Sequence, residues 1–251
     1  TRALSSAASD VYKRQDRVNT YLDALIKEIR AIGRMTRGRY PDTVYIGGGT
    51  PTTLEPDQLR RLLTEIAENF DLRHSAEFTV EAGRPDSITE EKLSVLREFP
   101  VTRISINPQT MQQKTLDLVG RKHTVEEIRE AYAMARRLGF DNINMDLIAG
   151  LPGENAGDMA DTLSQIEAMG PDSLTVHSLA IKRAAKFGQE GRTMDLHSEI
   201  SQMVDAAAKS AERMGLKPYY LYRQKNIAGN FENVGYSLPH KECLYNIEIM
   251  E

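Results

Sequence analysis

The chain has a single cysteine, Cys243, and no tryptophan among its 251 residues. One thiol excludes an internal disulfide framework. It also excludes an iron–sulfur or zinc site built from this chain's cysteines alone. The scarcity of cysteine favours a reducing, cytoplasmic compartment. Long apolar runs are missing too. Nothing approaches the ~20 residues that a membrane-spanning helix needs, and residues 1–15 lack the apolar region of a secretory signal. An excess of charge of either sign is also absent: 32 basic and 36 acidic side chains leave a formal net charge of −4. That balance gives no reason to expect nucleic acid or an anionic membrane as a partner. What remains, 40% hydrophobic and 27% charged residues, is the make-up of a globular chain long enough for one large domain or two small ones.

One stretch organises the rest: Thr43-Val-Tyr-Ile-Gly47-Gly48-Gly49-Thr50-Pro51-Thr52. Val44, Tyr45 and Ile46 read as a short buried strand. The glycines form a turn, and Thr50 and Thr52 are expected to cap a helix that begins near Pro56. A strand running through bare glycines into a helix offers backbone N–H groups to a polar ligand. Taken alone, the same stretch reads equally as a tight turn that needs positive φ.

Residues 18–32 carry apolar side chains at helical spacing. Strands then alternate with helices along the chain. The strand segments are 77–81, 102–106, 142–149, 173–180 and 219–222, and helices are expected around 56–70, 89–96, 111–119, 124–138, 156–169 and 198–214. A strand recurs roughly every 25–40 residues, the βα pattern of a parallel sheet with helices packed outside it. About five units are visible, too few for a closed eightfold barrel. The fold class is therefore α/β, an open, partial parallel βα barrel, with a doubly wound sheet as the competing topology. The Ala/Ser-rich residues 1–17 are expected to be a disordered or foreign leader, residues 18–222 the barrel, and residues 223–251 the start of an irregular C-terminal region.

In parallel α/β folds, ligands sit at the C-terminal ends of strands. The glycine stretch, Glu81, Gln109, Asp146 and His177 fall there. Asp146 stands out because it interrupts an apolar strand, where an unpaired carboxylate is costly. A buried salt bridge or a helix cap would also account for it. His177 reads as a core histidine, Arg121 as a solvated loop charge, and Cys243 as an inert thiol. Spacing alone gives a polar, partly anionic pocket at a barrel mouth and identifies no reaction.

The motifs in combination carry more. Gly47 to Thr52, Glu81 ending a strand, Arg103 to Ser105, Gln109 with Thr110, Arg121 and Asp146 to Gly153 occur in the order seen in radical SAM proteins of the oxygen-independent coproporphyrinogen III oxidase family, and Glu81 to Pro85, Ser105 to Gln109 and Lys241 to Asn246 are the stretches most like its HemZ-type members. The chain resembles that family from about residue 18 onward, and most nearly its HemZ-type coproporphyrinogen dehydrogenases. Asn107 stands where the wider family has glycine, and Asn tolerates positive φ, so the turn is expected to be kept there.

The resemblance implies a radical SAM partial barrel with S-adenosylmethionine across its mouth. Gly48, Gly49 and Thr50 would meet the methionine amino group, and Arg121 its carboxylate. Glu81, Gln109 and Asp146 would share the amino and ribose hydroxyl groups, and Ala180 would line the adenosine. It also implies a 4Fe–4S cluster on a CxxxCxxC motif, an electron donor for that cluster, and a porphyrinogen substrate whose propionates become vinyl groups. This sequence has no such motif. The expectation is a fragment, truncated at both ends and inactive by itself, of an enzyme of haem biosynthesis. The alternatives are a haem chaperone of the same family and a phosphate-binding βα-barrel enzyme that uses the glycine turn.

Overall fold

The computed structural model describes residues 2–179, 193–222 and 233–249. Its sheet begins with five parallel strands, β1 (Thr43–Ile46), β2 (Glu77–Gly83), β3 (Arg103–Gln109), β4 (Ile143–Ala149) and β5 (Ser173–Ser178). Two more strands, β6 (Lys217–Tyr222) and β7 (Asn233–Ser237), complete it in the order β1-β2-β3-β4-β5-β7-β6. β7 runs antiparallel to both of its neighbours. The sheet curls into an open half-barrel, as the βα repeat predicts. The strand β7 corrects the expectation that everything beyond Asn226 is irregular. Its sequence, Asn-Val-Gly-Tyr-Ser, is short and polar, and only pairing with β5 and β6 makes it a strand.

Helices pack on one face of the sheet: α1 (Arg2–Met35), α2 (Pro56–Asn69), α3 (Glu90–Arg97), α4 (Gln113–Leu118), α5 (Val125–Arg137), α6 (Ala156–Met169) and α7 (Thr193–Arg213). A short α8 (Leu244–Glu248) follows β7. Phe78, Val80, Ile104, Ile106, Ile143, Met145, Leu147 and Leu174 point outward and form one continuous core with Leu59, Leu63, Leu96, Ile128 and Ile166 of the helices. α1 takes in the segment read as a disordered leader. That segment holds Ala3, Ala7 and Ala8, and alanine is the best helix former.

Local signals fix most helix ends. Thr124 and Glu127 form the expected capping box of α5, the Glu127 N–H donating to Thr124 Oγ1 at 3.1 Å and the Thr124 N–H to Glu127 Oε2 at 2.6 Å. Asn155 caps α6, and left-handed Gly170 ends it at φ +69°. The start of α2 differs from expectation. Its N-cap is Glu55, whose backbone N–H donates to Gln58 Oε1 at 3.0 Å, with Pro56 in the first turn. Thr50 instead precedes a separate 3-10 turn, Pro51–Thr53. Thr52 turns inward, donating to the Ala82 carbonyl and lying 2.7 Å from Ser87 Oγ.

Candidate cofactor-binding site

The five parallel strands alternate in a way that buried parallel strands usually do not. Their outward side chains are apolar. Their inward side chains are Tyr45; Thr79 and Glu81; Arg103 and Ser105; Asn144 and Asp146; Thr175 and His177. Register joins them across the sheet: Tyr45 lies beside Thr79 and Thr79 beside Arg103, Glu81 beside Ser105, Ser105 beside Asn144, and Asp146 beside Thr175. The half-barrel therefore encloses a polar interior, open along its mouth.

The glycine stretch leaves β1 at that mouth. Gly48 has φ +99°, a conformation that L side chains rarely adopt, and a Cβ at Gly48 or Gly49 would meet no atom within 4 Å. These two residues expose bare backbone. Gly47 is different. A Cβ there would come within 2.4 Å of Tyr45 Cε1 and 2.9 Å of Glu81 Oε1, so its bareness lets those two side chains close on each other. The Tyr45 hydroxyl donates to Glu81 Oε1 at 2.5 Å. Burial raises the Tyr45 pKa, and the bond to Glu81 raises it further, so the phenol stays a proton donor. Thr50 packs on Gly83, whose φ is +73° and whose absent Cβ would lie 2.6 Å from Thr50 Cγ2. The glycine turn and the end of β2 thus form one unit.

Gln109 and Arg121 line a single cleft of about 240 Å³ with Arg84, Lys122 and Ile148. Gln109 ends β3 at φ +69° after a register shift that begins at Ile106. This corrects the expectation for Asn107. Positive φ falls two residues later, because β3 continues through Asn107 and the bulge displaces the turn. Asp146 sits within β4, not at its end. Among the described residues it is neither salt-bridged nor a cap: Asn144 Nδ2 donates to its Oδ1 at 2.6 Å, and Ser105 Oγ approaches its Oδ2 at 3.5 Å. Thr175 Oγ1 in turn donates to Asn144 Oδ1 at 3.1 Å. This neutral ladder fixes the carboxylate without cancelling its charge. Ala180 lies outside the described residues.

At the base of the interior, Glu77 accepts from the Leu244 N–H at 2.7 Å and from Cys243 Sγ at 3.3 Å. Arg103, fully buried nearby, donates to Ser173 Oγ at 3.3 Å. Burial pushes the Cys243 thiol up to about 11, so it is protonated and unreactive at neutral pH. Among the described residues, no group of three or more His, Cys, Asp or Glu side chains could hold a metal ion. The chain thus offers bare backbone, carboxylates, an amide and a guanidinium, and its single cysteine makes no ligand set for an iron–sulfur cluster.

Sequence reasoning missed Tyr45, Ser105, Asn144 and Thr175. The signal was present as polar residues at a period of two in strands whose other positions are all apolar.

A model of the radical SAM superfamily matches residues 9–166 of the chain. The Bacillus subtilis (strain 168) protein named oxygen-independent coproporphyrinogen-III oxidase-like protein HemZ is 48% identical over 240 residues, covering 94% of this chain and 48% of that protein. The heme chaperone HemW of the same organism is 32% identical over 240 residues, covering 92% of this chain and 60% of HemW. A solved structure of coproporphyrinogen III oxidase (HemN) from Escherichia coli, described as a radical SAM enzyme, superposes with a TM-score of 0.73 at 25% identity, covering 90% of this chain and 50% of that one.

The chain belongs to the radical SAM superfamily, whose cofactors are S-adenosylmethionine and a 4Fe–4S cluster. Within it, its relatives are the HemZ, HemN and HemW proteins. It spans about half the length of these relatives. Family membership sets aside the phosphate-binding reading of the glycine turn.

Proposed function

We propose that this chain forms the S-adenosylmethionine-binding half-barrel of a coproporphyrinogen III dehydrogenase, which oxidatively decarboxylates propionate side chains to vinyl groups in haem biosynthesis. The 48% identity to HemZ, spread over 94% of the chain, carries this reading. In it, Gly48, Gly49 and Thr50 take the methionine amino group through backbone and side-chain oxygens. Glu81 stands beside that turn as the complementary anion. Arg121 pairs with the methionine carboxylate from the cleft it shares with Gln109. Asp146, held by Asn144 and Ser105, faces the ribose hydroxyls. Ala180 lines the adenosine.

Bound S-adenosylmethionine, with a reduced cluster beside it, supplies hydrogen-atom abstraction from the substrate. The residues of this chain hold the reactants in register and limit water. The only cysteine is Cys243, so the cluster's cysteines are not among these 251 residues.

The test is anaerobic reconstitution of the full-length protein with iron and sulfide, followed by assay for S-adenosylmethionine cleavage and vinyl products from coproporphyrinogen III. Cleavage without porphyrinogen turnover would reject the substrate. The 32% identity to HemW supports a second reading, a haem chaperone. Tight haem binding with no dehydrogenase activity would select it.

A further inference from the structure

We propose that Tyr45 is a positioning residue for Glu81, that Tyr245 holds it in place, and that the two tyrosines together set the affinity for the amino-acid end of S-adenosylmethionine. This rests on the assignment of Glu81 to that ligand.

Three independent observations converge on the pair. The first is the bond from the Tyr45 hydroxyl to Glu81 Oε1. A mid-strand aromatic that served only to fill space would not need a hydroxyl, and this one reaches across to the next strand. It occupies one carboxylate oxygen and, among the described residues, leaves the other for a ligand cation. The second is Gly47, where any Cβ would collide with both side chains. The third is the stacking of Tyr245 on the Tyr45 ring, with centroids 4.5 Å apart and planes 18° apart.

Tyr245 belongs to α8, and α8 is fastened at both ends. Glu77 accepts from Cys243 and Leu244 at its start, and Thr43 Oγ1 donates to Glu248 Oε2 at 2.7 Å at its end. The C-terminal segment thus clamps the first strand from inside the barrel and fixes the ring that aims Glu81. The Lys241-Glu-Cys-Leu-Tyr-Asn246 motif acquires a role that the ligand contacts alone do not give it.

Calorimetric titration of the full-length, cluster-loaded protein tests this with two ligands. One is S-adenosylmethionine. The other is 5′-methylthioadenosine, which keeps the nucleoside and lacks the amino acid. Tyr45→Phe should weaken S-adenosylmethionine binding about tenfold, the scale of one hydrogen bond to a charged group, and leave methylthioadenosine binding unchanged. Tyr245→Ala should do the same, and Tyr245→Phe should bind like the unaltered protein. In a Glu81→Gln background, Tyr45→Phe should have no further effect. Equal losses for both ligands, or losses that add to those of Glu81→Gln, would mean a general structural role and overturn the proposal. So would S-adenosylmethionine binding unmoved by Tyr45→Phe. Unaltered protein that fails to bind S-adenosylmethionine would overturn the Glu81 assignment itself.

Discussion

Gln109 is held at φ +69° at the lip of the Arg121 cleft. A non-glycine residue in that region costs on the order of 1–2 kcal/mol, and such strain persists where the surroundings impose it. Gln109→Gly removes the strain but adds chain entropy to the unfolded state, a cost of about 0.5–1 kcal/mol. The variant should match or exceed the parent in urea unfolding, by up to about 1 kcal/mol, while its S-adenosylmethionine affinity falls. A variant less stable than the parent would show that Gln109's own contacts hold the turn. The sequence marked Glu81, Gln109 and Asp146 as polar residues on strands. It could not show that Asp146 rests on a neutral ladder from Asn144, Ser105 and Thr175, because the partners come from three different strands. Tyr45 was hidden for the opposite reason: an aromatic in a short strand reads as core until its hydroxyl is placed.

Among the elements, α8 is the one whose role local pattern could not supply. It has five residues and lies against β1, through Tyr245 and Glu248, and against β6, and the Cys243 that precedes it is tied to Glu77 of β2. The buried Cys243 gives it a pH signature. Its thiol ionises at about 11 in the folded chain and near ~8.5 when unfolded. The folded state therefore keeps a proton that the unfolded state loses, and stability falls as pH rises from about 8.5 toward 11, by at most about 3.5 kcal/mol. Cys243→Ser keeps a donor for Glu77 and does not titrate there. The melting temperature of the parent should drop more steeply than that of Cys243→Ser between pH 8.5 and 11. Parallel curves would mean that the thiol is not buried against Glu77. Alkylation of the parent by iodoacetamide at pH 8 should likewise be slow, and it should accelerate when Glu77→Ala frees the segment.

For the molecule as a whole, the site and the core occupy opposite faces of one sheet. The outward face buries Ile104, Ile143, Met145 and Leu147 completely against helices, while the inward face stays polar. Ile104→Ala should cost about 2–5 kcal/mol in urea unfolding, the usual range for such a truncation, without direct contact with the ligand site. Binding should also report on folding. At a hundredfold excess of S-adenosylmethionine over its Kd, linkage adds about 2.7 kcal/mol, which for a chain of this length raises the melting temperature by roughly 5–10 °C. Glu81→Gln with Arg121→Ala should abolish that rise. A rise that survives both substitutions would place the ligand elsewhere.

Short-range periodicity, capping and motif order suffice for the alternation of strands and helices, the ends of α5 and α6, the open βα half-barrel and the family, so all of these were legible in the amino-acid order. The sequence by itself also determined that no cluster ligand set lies in these residues, since only one cysteine is encoded. Tertiary structure decided the rest. It inserted β7 between β5 and β6, moved the strained turn from Asn107 to Gln109, and brought Tyr245 from the far end of the chain onto Tyr45. Each of these depends on which strand lies next to which, and that information is carried by long-range pairing and burial, not by neighbours in sequence.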